Sequence, residues 1–174
     1  MKTSTLIQKF MKISGLLLLF LLSSQIANGQ YCSVSSNCSM GDQIEDFSTT
    51  GATTNITNNS SGCSTNGYGD YTSTHTLVAD LGSSFDISVQ TQGSYPQGFT
   101  IWIDWNQDGD FSDAGEEVWN SGTSATTAFT GTINIPATAS TGSTVMRVMA
   151  AYNTVPTDPC NIGSYGEAED YGIQ

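Results

Sequence analysis

Basic residues are almost absent from this chain beyond its first twelve positions, where three of its four lysines and arginines lie. After them come no further lysine, a single arginine and a single histidine. Residues 30–174 therefore carry 16 acids against one arginine, a net charge of −15. Such a surface repels nucleic acids and anionic lipids, so we expect no nucleic-acid partner.

Long apolar runs are also missing, apart from one short run at residues 13–22 that follows the lysines. Small residues, Ala27-Asn28-Gly29, come shortly after it. This order is typical of a secretory signal peptide, here residues 1–29, with a mature start at Gln30. The run is shorter than the roughly 20 apolar residues that span a bilayer. We expect a secreted or cell-surface chain without membrane insertion.

The usual catalytic motifs are lacking as well. The sequence has no GxSxG, HExxH or cysteine–histidine arrangement, and His75 is its one candidate neutral base. Carboxylate pairs for a glycosidase could be nominated, Glu116 with Glu117 or Glu167 with Glu169. Because acids are spread along the whole chain and a small all-β domain seldom holds a deep cleft, we expect no enzyme.

The four cysteines, at positions 32, 38, 63 and 160, all follow the signal peptide. An even number in an exported chain predicts two disulfides. A zinc site is disfavoured because there is no CxxC and one histidine. Three pairings are possible, and spacing alone does not choose among them.

Apolar and polar residues alternate with period two, and Gly- and Ser-rich turns separate the runs. This pattern predicts many short strands and no helix after the signal peptide. The expected fold is an all-β, two-sheet antiparallel β-sandwich, Ig-like or jelly-roll-like, with residues 30–174 as one domain. Residues 55–65 are expected to form a surface loop. The predicted strands are 43–49, 75–80, 84–90, 99–105, 116–119, 128–135, 144–151 and 167–173.

An acidic loop follows the predicted strand 99–105 and resembles a calcium-binding loop. Oxygen-bearing side chains recur at every second residue, and Gly109 allows a sharp turn. The closing acid is one position later than in an EF-hand, and strands rather than helices flank the loop. We expect a structural calcium ion, with Asp113 or Glu117 as substitutes for the closing acid. The predicted ligands are Asp104, Asn106, Asp108, Asp110 and Glu116.

Arg147 lies in a strongly apolar strand, where a guanidinium group needs acidic or carbonyl partners. A structural ion pair is expected there in preference to a clamp for an anionic ligand. The candidate partners are Glu167, Glu169 and Asp170.

Several segments together resemble the GEVED domain, a module of secreted bacterial proteins. The name motif is present at residues 166–171, with Ala168 in place of valine. Other matching segments are residues 31–32, 67–72, 102–111, 113–116, 135–137, 146–148 and 159–160. The resemblance implies a non-catalytic β-sandwich that accompanies other domains, including peptidases and adhesins. It also implies the pairing Cys32–Cys160, which leaves Cys38–Cys63.

The function expected from these observations is adhesion, or binding of a substrate or surface, by a calcium-stabilised accessory module. The partner would be an extracellular polysaccharide or protein surface, beside neighbouring domains of a longer chain. The alternatives are a carbohydrate-binding module and a structural spacer attached to a secreted peptidase or other hydrolase. Aromatic side chains could form the binding surface. They are Tyr68, Tyr71, Tyr95, Trp105, Trp119, Tyr152 and Tyr165.

Overall fold

A computed structural model describes residues 30–174, so the signal peptide expected at residues 1–29 lies outside the described residues. The described part contains nine strands and one short 3-10 turn at Thr65–Gly67. None of its helices is long and apolar enough to cross a membrane. The strands are β1 (Ile44–Thr50), β2 (Thr57–Asn59), β3 (Tyr68–Leu77), β4 (Ser84–Thr91), β5 (Gln97–Ile103), β6 (Glu117–Asn120), β7 (Phe129–Asn134), β8 (Thr144–Tyr152) and β9 (Gly166–Ile173).

The strands form two packed sheets, which confirms the predicted β-sandwich. The four-stranded sheet has the order β2-β1-β4-β7, and the five-stranded sheet has the order β3-β9-β8-β5-β6. Neighbouring strands pair antiparallel except at one place, where β3 runs parallel to β9. The sandwich is therefore antiparallel apart from this one edge.

Each of the eight predicted strands overlaps an observed one, with boundaries displaced by a few residues. The largest difference is β3, which begins at Tyr68, seven residues before the predicted start. Strand β2 lies inside the segment 55–65, which was expected to be a loop. It is a three-residue polar strand that is defined by its pairing with β1. Its own sequence has no hydrophobic alternation from which a strand could be predicted.

The main core lies between the two sheets and is built from alternate residues of facing strands. Phe85, Ile87 and Val89 point inward from β4, as the period-two pattern predicts. Phe99, Ile101 and Ile103 do the same from β5. Residues from β8 and β9 complete this interior, which is what holds the sheets together.

A second, smaller core covers the outer face of the five-stranded sheet. Trp102 of β5 and Met149 of β8 point to this side, opposite the main core. Segments outside the sheet close over them, including Val34 near the start of the described residues and Ile162 before β9. Because both faces are covered, every residue of β5 and β9 is buried. Polar residues on these strands therefore need internal partners.

Two disulfides tie the covering segments to each other and to the sandwich. Cys32 bonds Cys160, and Cys38 bonds Cys63, which confirms the pairing implied by the family resemblance. The first bridge closes a sequence separation of 128 residues and joins the start of the described residues to the segment before β9. The second anchors the loop that precedes β3.

Gly131 in β7 is a position where the sandwich has no room for a side chain. A Cβ placed there would overlap the indole ring of Trp119, which packs against the main core. We expect Gly131→Ala to lower the free energy of unfolding by about 1–3 kcal/mol, because the indole must move. Urea unfolding measures this, with the exposed neighbour Thr130→Ala as the control. Equal midpoints for the two variants would contradict the steric argument.

Candidate metal centre and buried polar groups

The acidic loop connects β5 to β6, two antiparallel neighbours, and so closes a β-hairpin. Asp104 is fully buried at its start and organises the turn. Its Oδ1 accepts from the backbone N–H of Gln107 at 2.6 Å, and its Oδ2 accepts from that of Gly109 at 3.0 Å. The Tyr31 hydroxyl donates to the same Oδ2 at 2.7 Å. Asp104 therefore fixes the loop backbone from inside.

The middle of the loop is a run of side-chain turns, each closed on the residue two positions later. Asn106 Oδ1 accepts from the N–H of Asp108 at 3.0 Å, and Asp108 Oδ1 from that of Asp110 at 3.3 Å. Asp110 Oδ1 accepts from the N–H and the hydroxyl of Ser112, at 2.8 and 2.6 Å. These bonds lower the pKa of Asp110, which favours its charged form.

Glu116 closes the loop by accepting hydrogen bonds from two backbone N–H groups of the loop. Its Oε1 accepts from the N–H of Trp105 at 3.1 Å, and its Oε2 from that of Asp113 at 3.2 Å. The side chain is 2% exposed, and burial raises its pKa above the usual value. Glu116 therefore ties the end of the loop back to its start at Trp105.

Three exposed carboxylates converge on the outer side of the loop. Asp108, Asp110 and Asp113 each place an oxygen within 4.8 Å of the others. The amide Nδ2 of Asn106 donates to Asp108 at 3.0 Å and to Asp113 at 2.6 Å. A donor between two carboxylates marks a position of concentrated negative potential, and an oxygen-only set of this kind suits a hard divalent cation.

The structure thus brings together part of the predicted ligand set. Asp108 and Asp110 lie in the carboxylate cluster, and Asp113, named as a substitute, completes it. Asp104 and Glu116 lie outside that cluster because their oxygens accept from backbone N–H groups of the loop. Glu117, the other substitute, instead accepts from Asn120 Nδ2 at 2.8 Å. The residues present fit a calcium ion bound at the loop surface on a buried scaffold.

Arg147 forms a buried ion pair on the outer face of the five-stranded sheet. Its Nε and Nη2 donate to the two oxygens of Asp170 at 2.7 and 2.8 Å. Nη1 donates to the carbonyls of Cys32 and Pro159 at 3.0 and 2.9 Å. The guanidinium also lies 5.0 Å from the ring centre of Phe111 in the acidic loop. One side chain therefore links the sheet, both ends of a disulfide and the hairpin loop.

Glu167 and Glu169 do not pair with Arg147, so the prediction that they are its partners is wrong. Register places Asp170 directly beside Arg147 on the neighbouring strand. Because side chains alternate along β9, Glu167 and Glu169 point to the opposite face, between the sheets. The ion pair is therefore made by Asp170 alone of the three candidate acids.

The two inward-facing glutamates have different partners. Glu167 accepts from the backbone N–H of Ile44 at 2.9 Å and of Ser64 at 2.6 Å, so it links β9 to the opposite sheet and to the loop before β3. Glu169 Oε2 accepts from the Tyr171 hydroxyl at 2.6 Å, and Oε1 has no hydrogen-bond partner among the described residues. Burial raises the pKa of both, that of Glu169 to about 8.

The aromatic side chains proposed for a binding surface divide into two groups. Trp105 and Trp119 are half-buried and pack against the main core, as does Tyr71, while Tyr68 packs against the second core. The remaining three are exposed and lie close together in space. They are Tyr95, Tyr152 and Tyr165.

Comparison with known proteins gives one match. The family model of the GEVED domain matches residues 98–174, a range that contains the acidic loop, Arg147 and the whole of β9. Searches among curated proteins and among solved structures find no match. The match confirms, over residues 98–174, the resemblance to the GEVED domain seen in the sequence motifs.

Proposed function

We propose that this chain is an exported, non-catalytic accessory module whose hairpin loop is stabilised by calcium and whose surface binds an extracellular partner. The observation that carries the metal part is the cluster of Asp108, Asp110 and Asp113. The loop backbone beneath it is fixed by Asp104 and Glu116, so the carboxylates are held close before any ion arrives. A cation at this point would relieve their mutual repulsion.

The buried environments of the nominated acids support a non-catalytic role. Glu167 and Glu169 lie inside the sandwich, and Glu116 is committed to two backbone N–H groups. Acid–base catalysis on a glycoside needs two carboxyl groups that reach a substrate from opposite sides of one bond. The only histidine, His75, is packed edge-on against the rings of Tyr71 and Tyr171. We infer that these glutamates and His75 stabilise the fold and take no part in catalysis.

The binding part of the proposal rests on the exposed tyrosines, and the setting is extracellular. Two disulfides in the described chain suit an oxidising compartment. The partner is an extracellular protein or polysaccharide surface, with neighbouring domains of a longer chain beside it. If the module is instead a spacer, it will show no saturable binding to any such surface.

Calcium is expected to raise the melting temperature of the isolated chain. At a free concentration 100-fold above the dissociation constant, binding to the folded state adds about 2.7 kcal/mol. For a domain of this size that corresponds to a rise of roughly 5–11 °C. The measurement is a thermal scan in calcium and in chelator, and identical curves would contradict the metal site.

A pair of variants locates the effect within the loop. Asp108→Asn combined with Asp113→Asn removes two charges of the cluster, so the calcium response should disappear. The melting temperature in chelator should stay equal or rise, because repulsion is relieved. Glu117→Gln is the matched control, since this exposed acid is adjacent to the loop but outside the cluster. Loss of the calcium response in the control instead would argue for diffuse charge screening.

A further inference from the structure

Four of the five exposed large hydrophobic side chains in residues 30–174 surround one cavity. They are Met40, Tyr95, Tyr152 and Tyr165, while the fifth, Leu81, lies elsewhere. The cavity has a volume of about 220 Å³, and Asp42 completes its lining. We call these five lining residues the tyrosine cage. Such concentration of apolar surface at one place is typical of an interaction site.

Neighbouring rings of the cage are nearly perpendicular to each other, so they do not form one flat aromatic surface. Tyr95 and Tyr152 have centroids 5.8 Å apart and planes at 90°. Tyr152 and Tyr165 are 6.5 Å apart at 85°. A sugar ring stacks on one flat aromatic face, whereas successive perpendicular rings suit a compact group that several faces can approach. Recognition of alkylammonium groups by aromatic cages uses that arrangement.

The backbone holds these walls in place. Tyr152 ends β8 and lies opposite Gln97 of β5. The N–H of Tyr152 donates to the carbonyl of Tyr165 at 3.1 Å, and the next N–H, of Asn153, donates to the carbonyl of Pro96 at 2.9 Å. The three tyrosines therefore come from segments that are already bonded to one another, so little order is lost on binding.

Asp42 supplies a negative charge at the cage. It is 4% exposed, and its Oδ1 accepts from Gln97 Nε2 at 2.8 Å. Its Oδ2 has no hydrogen-bond partner among the described residues, although the carboxylate lines the cavity. A carboxylate oxygen that lines a cavity and has no protein donor is free to accept from an external donor that carries positive charge.

The described residues, 30–174, have no exposed lysine or arginine that could enter the cage. Within residues 30–174, Arg147 is the one lysine or arginine, and it is 1% exposed and paired with Asp170. The surface around the cage thus belongs to a domain with a net charge of −15. Charge complementarity requires that a partner bring the cation, which a neutral or acidic polysaccharide cannot do.

We propose that the tyrosine cage binds a lysine side chain of a basic protein partner, an inference that rests on the proposed role of this chain as a binding module. The ammonium group lies among the three rings and donates to Asp42 Oδ2. Lysine is preferred over arginine because Gln97 already occupies Oδ1, so the paired oxygens that a guanidinium fork uses are not both free. Met40 covers the aliphatic stem.

The test is an NMR titration of the folded chain with the peptide acetyl-Gly-Gly-Lys-Gly-Gly-amide and its Nε-acetylated form. We expect saturable shifts at residues 42, 95, 152 and 165 with the free lysine peptide. The acetylated peptide should bind at least tenfold more weakly, because it has lost the charge. Equal binding of the acetylated peptide, or equivalent shifts with a neutral oligosaccharide such as cellohexaose, would overturn the proposal. An arginine peptide that binds equally would overturn the preference for lysine.

Variants separate the cage from the rest of the surface. Tyr152→Ala and Asp42→Asn should each weaken lysine-peptide binding at least fivefold. Leu81→Ala is the matched control, an exposed apolar side chain outside the cavity, and should leave binding unchanged. Unchanged binding in Tyr152→Ala, whose exposed ring can be removed without opening the core, would refute the cage even if Asp42→Asn failed to fold. The calcium response measured on the same samples is independent, so failure of one site is distinguishable from failure of the other.

Discussion

Replacing Arg147 by methionine is expected to lower the free energy of unfolding by about 3–5 kcal/mol, the usual cost of leaving one member of a buried ion pair behind. Arginine and methionine side chains have similar volumes, so the expected loss of stability comes from the missing charge and hydrogen bonds and not from a cavity. Asp170 would keep the Tyr68 hydroxyl as a donor at 2.7 Å but lose both guanidinium bonds. The carbonyls of Cys32 and Pro159 would lose their shared donor as well. Urea unfolding with an unchanged m value measures the effect.

The double variant Arg147→Met with Asp170→Asn distinguishes the pair from packing. Removing both charges should recover part of the loss, because no unpaired charge is then buried. Asp170→Asn by itself should be destabilising, since it leaves the guanidinium without its counter-charge. A double variant that costs the sum of the two single variants would show that the two groups act independently, against the geometry.

The same ion pair shows what could be derived from the sequence. An arginine in an apolar strand predicts an internal acidic partner, and the structure has one. The alternation of side chains along a strand already separates the three acids, because residues 167 and 169 lie on one face and residue 170 lies on the other. At most one of these two groups can face Arg147. What the sequence does not contain is the register between β8 and β9, which pairs Arg147 with Asp170.

The strand pattern was predictable wherever one face of a strand is apolar. Residues of β4 and β5 alternate as half-buried strands should, and their inward faces were assigned from the pattern. The strand β2, which was not predicted, has a polar residue at each of its three positions, including the buried Asn58. It therefore has no alternation of apolar and polar residues. The parallel pairing of β3 with β9 depends on chain path between distant segments, and local patterns carry no information about it.

In the acidic loop, the sequence predicted that acidic side chains come together, but it did not predict the role of each one. Asp108, Asp110 and Asp113 do converge, but the acids at the two ends of the loop are buried and bind backbone N–H groups. Burial of Asp104 follows from Tyr31, more than 70 residues away in the chain, which donates to it. A long-range contact of this kind buries one acid in the scaffold of the loop and leaves others exposed at its surface, although the residue types are the same.

Glu169 is the residue from which we expect the strongest pH dependence of stability. It lies between the sheets beside Glu167 and Tyr171, with Oε1 lacking a hydrogen-bond partner among the described residues. Burial raises its pKa from the ordinary 4.5 to about 8. Between these two values the folded state retains a proton that the unfolded state has released. Stability from this group is therefore complete below pH 4.5 and is lost as the pH rises towards 8.

Glu169→Gln should abolish this loss, because the amide keeps the shape and can still accept from the Tyr171 hydroxyl but does not titrate. The two proteins should differ little near pH 5. As the pH rises, the free energy of unfolding of the variant should increase relative to that of the native chain, by at most roughly 1.4 kcal/mol per pH unit. Urea unfolding at pH 5, 6, 7 and 8 gives both curves.

The exposed acid Glu117, changed to Gln, is the control, and its difference from the native chain should stay constant over the same range. Glu167, whose pKa burial also raises, contributes a loss in the same direction. Glu167→Gln combined with Glu169→Gln should therefore flatten the curve further than Glu169→Gln alone. If the single variant parallels the native chain from pH 5 to 8, Glu169 is ionised in the folded protein, and an unseen donor, such as a buried water, must then satisfy Oε1.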